Sequence, residues 1–196
     1  SLFTVLRLVE FADGELIEGE LDIFIGDSYV LSVRSHASRG FADVRTRTEP
    51  DPELLPHGPA YVLYALMDAV VDRYFPIIDA LEIEIEQIEE RIFSGSTTRA
   101  QIEALYQLRR KVMVLKHVAG PLLEATAKLQ AGRVPPVCAG LVDYFRDVYD
   151  HLRRLNQSID NLRDMVTTAT TVNLSLITLQ ENEVSKRLAA YAALAA

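Results

Sequence analysis

Apolar residues recur along this chain with two different periods. Up to about residue 35 they cluster in short runs rich in β-forming types, and from Ala60 onward they fall at helical spacing. Leu2-Phe3-Thr4-Val5-Leu6-Arg7-Leu8-Val9 predicts a strand. So do Leu21-Asp22-Ile23-Phe24-Ile25 and Tyr29-Val30-Leu31-Ser32-Val33, which flank Gly26-Asp27-Ser28, a hairpin-turn sequence. Gly14 and Gly19 punctuate the segment between the first two runs. Residues 38–49 predict a short helix around Phe41 and Val44, and Pro50, Pro52, Pro56 and Pro59 mark a loop after it. Three strands make a small sheet, so further strands are expected before Ser1.

A first long helix is predicted over about 60–93. Leu63, Leu66, Met67, Val70, Val71, Tyr74 and Phe75 form its stripe, and Pro76 should bend it or mark a seam, because proline removes a backbone donor. Leu81-Glu82-Ile83-Glu84-Ile85-Glu86 alternates with period two. The wider set Ile77, Ile78, Leu81, Ile85, Ile88 and Ile92 fits the helical period better, with Ser94-Gly95-Ser96 as the stop. A second helix is predicted over about 98–130, with Ile102, Leu105, Leu108, Val112, Leu115 and Val118 as its stripe. Gly120-Pro121 should perturb it, and residues 131–136 end it. The short turn between the two helices predicts an antiparallel hairpin.

The third helix should begin near Val137 or Cys138, and after Gly140 the chain has no Gly or Pro. About 55 residues at about 1.5 Å each would extend roughly 80 Å. Leu141, Phe145, Val148, Leu152, Leu155, Ile159, Leu162, Val166 and Ala169 alternate spacings of four and three, a heptad seam for packing on other helices. The fold class read from these patterns is α+β: a truncated N-terminal β-sheet subdomain (1–58), an antiparallel helical hairpin (59–136) and one very long stalk helix (137–196).

A second stripe on that helix is polar and made of small side chains: Asp164, Thr168, Thr171, Ser175, Thr178, Asn182 and Ser185. Two readings stand. It is a solvated face, or it lines a shared axis. The second is favoured by composition, because solvated helix faces ordinarily use the better helix formers Glu, Lys and Gln. Small hydroxyls and amides around an axis can hydrogen-bond the water shell of an ion without holding the ion too tightly.

The net charge is −8 over 196 residues, which argues against nucleic acid as a partner. An acidic balance suits divalent cations or basic partners, and is also common in soluble proteins. A single cysteine, Cys138, leaves no internal disulfide and points to a reducing compartment. No secretory leader and no apolar run long enough to cross a bilayer is visible. The abrupt entry into a strand at Ser1 and the increasingly apolar run up to Ala196 suggest a fragment of a longer protein. No catalytic constellation, phosphate loop or CxxC pair is present, so an enzyme is the least favoured class. His36, His57, His117 and His151 are scattered and read as structural or exposed. Asp143, Asp147 and Asp150 share one side of the long helix, and Asp68 and Asp72 one side of the first. Hard oxygen donors one turn apart suit Mg²⁺ or Ca²⁺, with a solvated acidic surface as the plain alternative.

Several stretches carry a family resemblance. Tyr144-Phe145-Arg146-Asp147-Val148-Tyr149-Asp150-His151 resembles the start of the stalk helix of CorA-type magnesium/cobalt transporters, and Asn182-Glu183-Val184 resembles the segment leading into the membrane. Asp68-Ala69-Val70-Val71-Asp72-Arg73-Tyr74-Phe75 is similar to the family's acidic helix. Leu105-Tyr106-Gln107-Leu108-Arg109-Arg110, with Gly120-Pro121-Leu122, is similar to its antiparallel partner. The resemblance implies a funnel-shaped homopentamer on the cytoplasmic face of the membrane. Its long helix would line the pore and continue into a transmembrane helix beyond Ala196, followed by the Gly-Met-Asn selectivity motif.

It also implies a regulatory Mg²⁺ held at Asp147 and, next to it, at Asp68, with acidic partners from before Ser1, and a polar pore position at Asn182. Thr171 stands where some members place an acidic ring. The transported ion is Mg²⁺ or Co²⁺ by resemblance. A zinc transporter of the same family and a soluble coiled-coil scaffold are the alternatives.

Overall fold

The computed structural model describes residues 1–49, 55–95, 99–133 and 135–194. Pro50 and Pro52 of the expected loop, Ser96 of the expected helix stop, Val134 and the final Ala195 and Ala196 lie outside them. The chain divides into two compact units. One comprises Ser1–Asp79 with Met113–Ile159, the other Ala80–Val112 with Asp160–Ala196.

In the first unit three antiparallel strands, β1 (Leu2–Ala12), β2 (Glu15–Ile25) and β3 (Val30–Ser35), form one sheet in the order β1-β2-β3. β1 and β2 are longer than their apolar runs because Asp13 and Gly14 both adopt positive φ, 51° and 81°. That is the twist a two-residue hairpin turn requires, and it extends the pairing down to Ala12 opposite Glu15. Gly19 is a correction to the expectation: it sits inside β2 opposite Leu8 and does not break the strand. A Cβ there would stand 2.7 Å from the His36 carbonyl oxygen, so glycine admits the close approach of that backbone.

Helix α1 (Ala42–Thr48) follows the sheet, and helix α2 (Pro59–Asp72) packs on all three strands. Leu6, Leu8, Leu21, Ile23 and Ile25 are buried from the sheet side, and Leu63, Met67, Val70 and Val71 from the helix side. Helix α3 (Phe75–Phe93) begins after a two-residue interruption, with Pro76 in its first turn. The expected single helix therefore has a seam, placed where a missing backbone donor does no harm. At that seam Tyr74 donates its hydroxyl to the Arg7 carbonyl at 2.5 Å, tying the end of α2 to β1.

Helix α4 (Arg99–Gln130) runs without a break through Gly120 and Pro121. Helix α5 (Val142–Leu194) starts later than expected, after a 3-10 turn at Pro136–Cys138 and Gly140 at φ 93°. Within the first unit Leu141, Phe145, Val148, Leu152, Leu155 and Ile159 of the seam are all buried.

The second unit takes Leu81, Ile85, Ile88 and Ile92 from α3, Leu105, Leu108 and Val112 from α4, and Leu162, Val166 and Ala169 from α5 as its core. Ile83 is 54% exposed, as the helical reading of the alternating segment requires. Lys111 bonds Glu84 at 2.9 Å across α3 and α4, which run antiparallel. One stripe residue is corrected: Ile102 is 42% exposed and Gln101 is buried in its place. Counting back from Leu108 and Leu105 in the four-three rhythm lands on Gln101, so the phase of the helix decides against the more apolar residue. The α+β class and the order of sheet, helices and long final helix are as expected.

Candidate metal centre

Asp68 lies on α2 and Asp147 and His151 lie on α5, all in the first unit. Each helix carries an aromatic residue one turn ahead of its acid. Tyr64 precedes Asp68 by four positions and Tyr144 precedes Asp147 by three, so both point to the same side as the acid that follows. The Tyr64 and Tyr144 rings meet with centroids 5.1 Å apart, Tyr61 packs edge-on to Tyr144 at 6.1 Å, and His57 lies 6.0 Å from Tyr144. This aromatic layer sits beside the acidic one.

In the acidic layer one donor atom from each of Asp68, Asp147 and His151 falls within 4.8 Å of the others. His151 Nδ1 is 3.8 Å from Asp68 Oδ1, and His151 Nε2 is 3.8 Å from Asp147 Oδ1. Both separations exceed a hydrogen bond, and buried Nδ1 has no hydrogen-bond partner among the described residues. Burial, followed by the charge of Asp72, pushes the Asp68 carboxyl above its ordinary range. Asp147 adds to that, while His151 and Arg47 act against it. The Tyr64 phenol is pushed up to about 12, first by burial and then by the charges of Asp68 and Asp147. The group is thus a partly exposed acidic cluster in which Asp68 and His151 are half-buried and Asp147 is exposed. Two hard carboxylates and one imidazole fit Mg²⁺ through oxygen, and Co²⁺ or Zn²⁺ through oxygen and nitrogen together.

The other expected acids are placed apart from this group. Asp72 is exposed and acts on Asp68 only through its charge. Asp143 pairs with Arg146 at 2.9 Å, and Asp150 is exposed. His151 is the member that reading the acids alone missed. The signal was present, since Asp147 and His151 are four apart and so share a helix face.

The polar stripe lies in the second unit, and Thr168, Thr171, Ser175, Thr178, Asn182 and Ser185 are all exposed. Its hydroxyls bond back along the helix, Thr168 to the Asp164 carbonyl at 2.9 Å, Thr171 to Thr167 at 3.0 Å and Ser175 to Thr171 at 2.9 Å. These three hydroxyls therefore spend their protons internally and turn oxygen lone pairs outward. Asn173, four residues past Ala169 on the seam, is 1% exposed, and neither amide atom has a partner among the described residues.

The model of the family described as CorA-like Mg²⁺ transporter protein matches residues 1–196. The chain belongs to that CorA-like family. It is 29% identical over 190 residues to the cobalt/magnesium transport protein CorA of Thermotoga maritima, covering 95% of this chain and 54% of that protein. It is also 29% identical over 166 residues to the putative metal ion transporter YfjQ of Bacillus subtilis, covering 85% of this chain and 51% of the other. This CorA-like chain thus spans about half the length of the curated relatives it matches. In fold it resembles the complete CorA magnesium transporter of Methanocaldococcus jannaschii, with a TM-score of 0.81 at 19% identity, over 95% of this chain and 59% of that one. No helix among the described residues is long and apolar enough to cross a membrane.

Proposed function

We propose that this chain is the cation-sensing and pore-lining part of a Mg²⁺/Co²⁺ channel or transporter. It would work as a homopentamer at the cytoplasmic face of a membrane, reached through helices beyond Ala196. The observation that carries the reading is the meeting of Asp68, Asp147 and His151 from two helices within 4.8 Å, around a carboxyl that burial already disfavours as an anion. A bound divalent ion supplies the two positive charges that make two neighbouring carboxylates tolerable. Asp68 and Asp147 would hold it through oxygen and His151 through nitrogen. Neutralised, the two acids let α2 and α5 stay together and let neighbouring subunits approach; unneutralised, like charges push them apart. Family membership and the names of the relatives support transport as the end use. The outward lone pairs of the Thr/Ser stripe support a face that meets hydrated cations.

Calorimetric titration of the chain with Mg²⁺, Co²⁺ and Zn²⁺, repeated on Asp147→Asn, tests the reading. Saturable Mg²⁺ or Co²⁺ binding that the substitution weakens supports it. Tight Zn²⁺ binding with no response to Mg²⁺ or Co²⁺ would move the reading to a zinc transporter. The absence of any saturable binding would leave the scaffold alternative.

A further inference from the structure

The seam of α5 does not end on an apolar residue. Its last buried position is Asn173, 1% exposed, with neither amide atom bonded among the described residues. No described residue of α5 after it is buried. The buried stripe of α4 begins in the same way, on Gln101. Arg99 and Ile102 line a cleft of about 630 Å³ together with Ile177 and Val184. The start of α4 therefore lies along the later part of α5, and the two helices run in opposite directions. Counted in those directions, Val112, Leu108, Leu105 and Gln101 keep step with Leu162, Val166, Ala169 and Asn173. The core of the second unit is apolar as far as Leu105 and Ala169, polar in its last layer, and bordered by the cleft one turn beyond.

We propose that this polar layer is where the second unit opens: the end of α3 and the start of α4 part from α5 there, while the apolar layers hold. A buried amide without partners has lost its water and has no replacement for it, so a motion that lets water in from the cleft restores its hydration. The motion stops where Leu105, Leu108 and Val166 would be uncovered, because exposing them costs free energy that no polar group returns. Once parted, helix ends without packing fray, since short unsupported helical turns are marginal in water. The opening does not involve the Asp68 group, which lies in the first unit.

Native-state hydrogen exchange on wild type, Asn173→Leu and Asn173→Asp tests this. In wild type, the amides of residues 88–93 and 103–108 should exchange through an opening that depends little on denaturant, because it exposes little surface. Those of residues 162–169 should depend on denaturant steeply. Asn173→Leu should slow the first set about ten- to one-hundred-fold, the effect of removing one unpartnered amide. Asn173→Asp should speed it, because a carboxylate needs water more. The β1 and β2 amides of the first unit should not move in either variant. Equal denaturant dependence of the two sets in wild type would overturn the proposal, and that comparison stands even where a variant fails to fold. So would Asn173→Leu leaving the first set unchanged, or slowing both sets alike.

Discussion

Replacing Asp68 by Asn removes one negative charge and keeps the shape of the side chain. The carboxyl it replaces is half-buried, with a side-chain exposure of 20%, and its nearest acidic donor in the group, on Asp147, lies within 4.8 Å. Two unit charges at that separation repel by about 1 kcal/mol in a water-like medium and by about 3.5 kcal/mol at an effective dielectric constant near 20. Asp147 is 55% exposed, so the lower figure applies, and His151 and Arg47 already offset part of it. Asp68→Asn should therefore stabilise the metal-free chain by about 1 kcal/mol, or roughly 2–4 °C in melting temperature for a chain of this size.

The pH dependence follows from the raised carboxyl. A group whose folded value lies above its unfolded value costs stability while ionised. Metal-free wild type should therefore gain stability as pH falls through the folded value, and Asp68→Asn should lose that acid-side gain. Mg²⁺ should raise the melting temperature of wild type and leave the variant nearly unmoved. Circular dichroism melts at neutral and mildly acidic pH, each with a chelator and with excess Mg²⁺, measure all of these. A variant less stable than wild type without metal, yet equally stabilised by Mg²⁺, would refute the reasoning.

Other consequences can be checked one at a time. His151→Gln should weaken Co²⁺ binding more than Mg²⁺ binding, because it removes the nitrogen donor and leaves both carboxylates; parallel titrations with the two ions would show it. Asn173→Leu should raise the stability of the second unit by about 1–3 kcal/mol, the cost of a buried amide without partners among the described residues, as read from denaturant melts. Gly19→Ala should destabilise the sheet of the first unit, since the added carbon meets the His36 carbonyl oxygen at 2.7 Å; hydrogen exchange of the β2 and β3 amides would detect it.

The helical parts of the fold were legible because periodicity is a property of the sequence itself. Every residue of the seam from Leu141 to Ala169 is buried, and Pro76 marks the junction of α2 and α3. What was lost turned on phase and backbone geometry rather than on residue type. Gln101 displaced Ile102 because the stripe keeps its rhythm even where the apolar residue lies one position off. The reach of β1 and β2 depended on the positive φ of Asp13 and Gly14, which lengthens a hairpin beyond its apolar runs.

The site was half visible. Asp68 and Asp147 stood out as acids on helices, but only packing of α2 beside α5 could separate them from Asp143 and Asp150, which lie outside the group. His151 was hidden by the habit of treating a lone histidine as filler.

The chain has no tryptophan, and three of its tyrosines, Tyr61, Tyr64 and Tyr144, stand in the aromatic layer beside the acids. Tyrosine emission therefore reports on the centre without a label. Titrating wild type with Co²⁺ and following that emission tests the central claim most directly. The account predicts a saturable change, reversed by excess Mg²⁺ and lost in Asp147→Asn. A linear, unsaturable response, or the same saturable curve in Asp147→Asn, would contradict it.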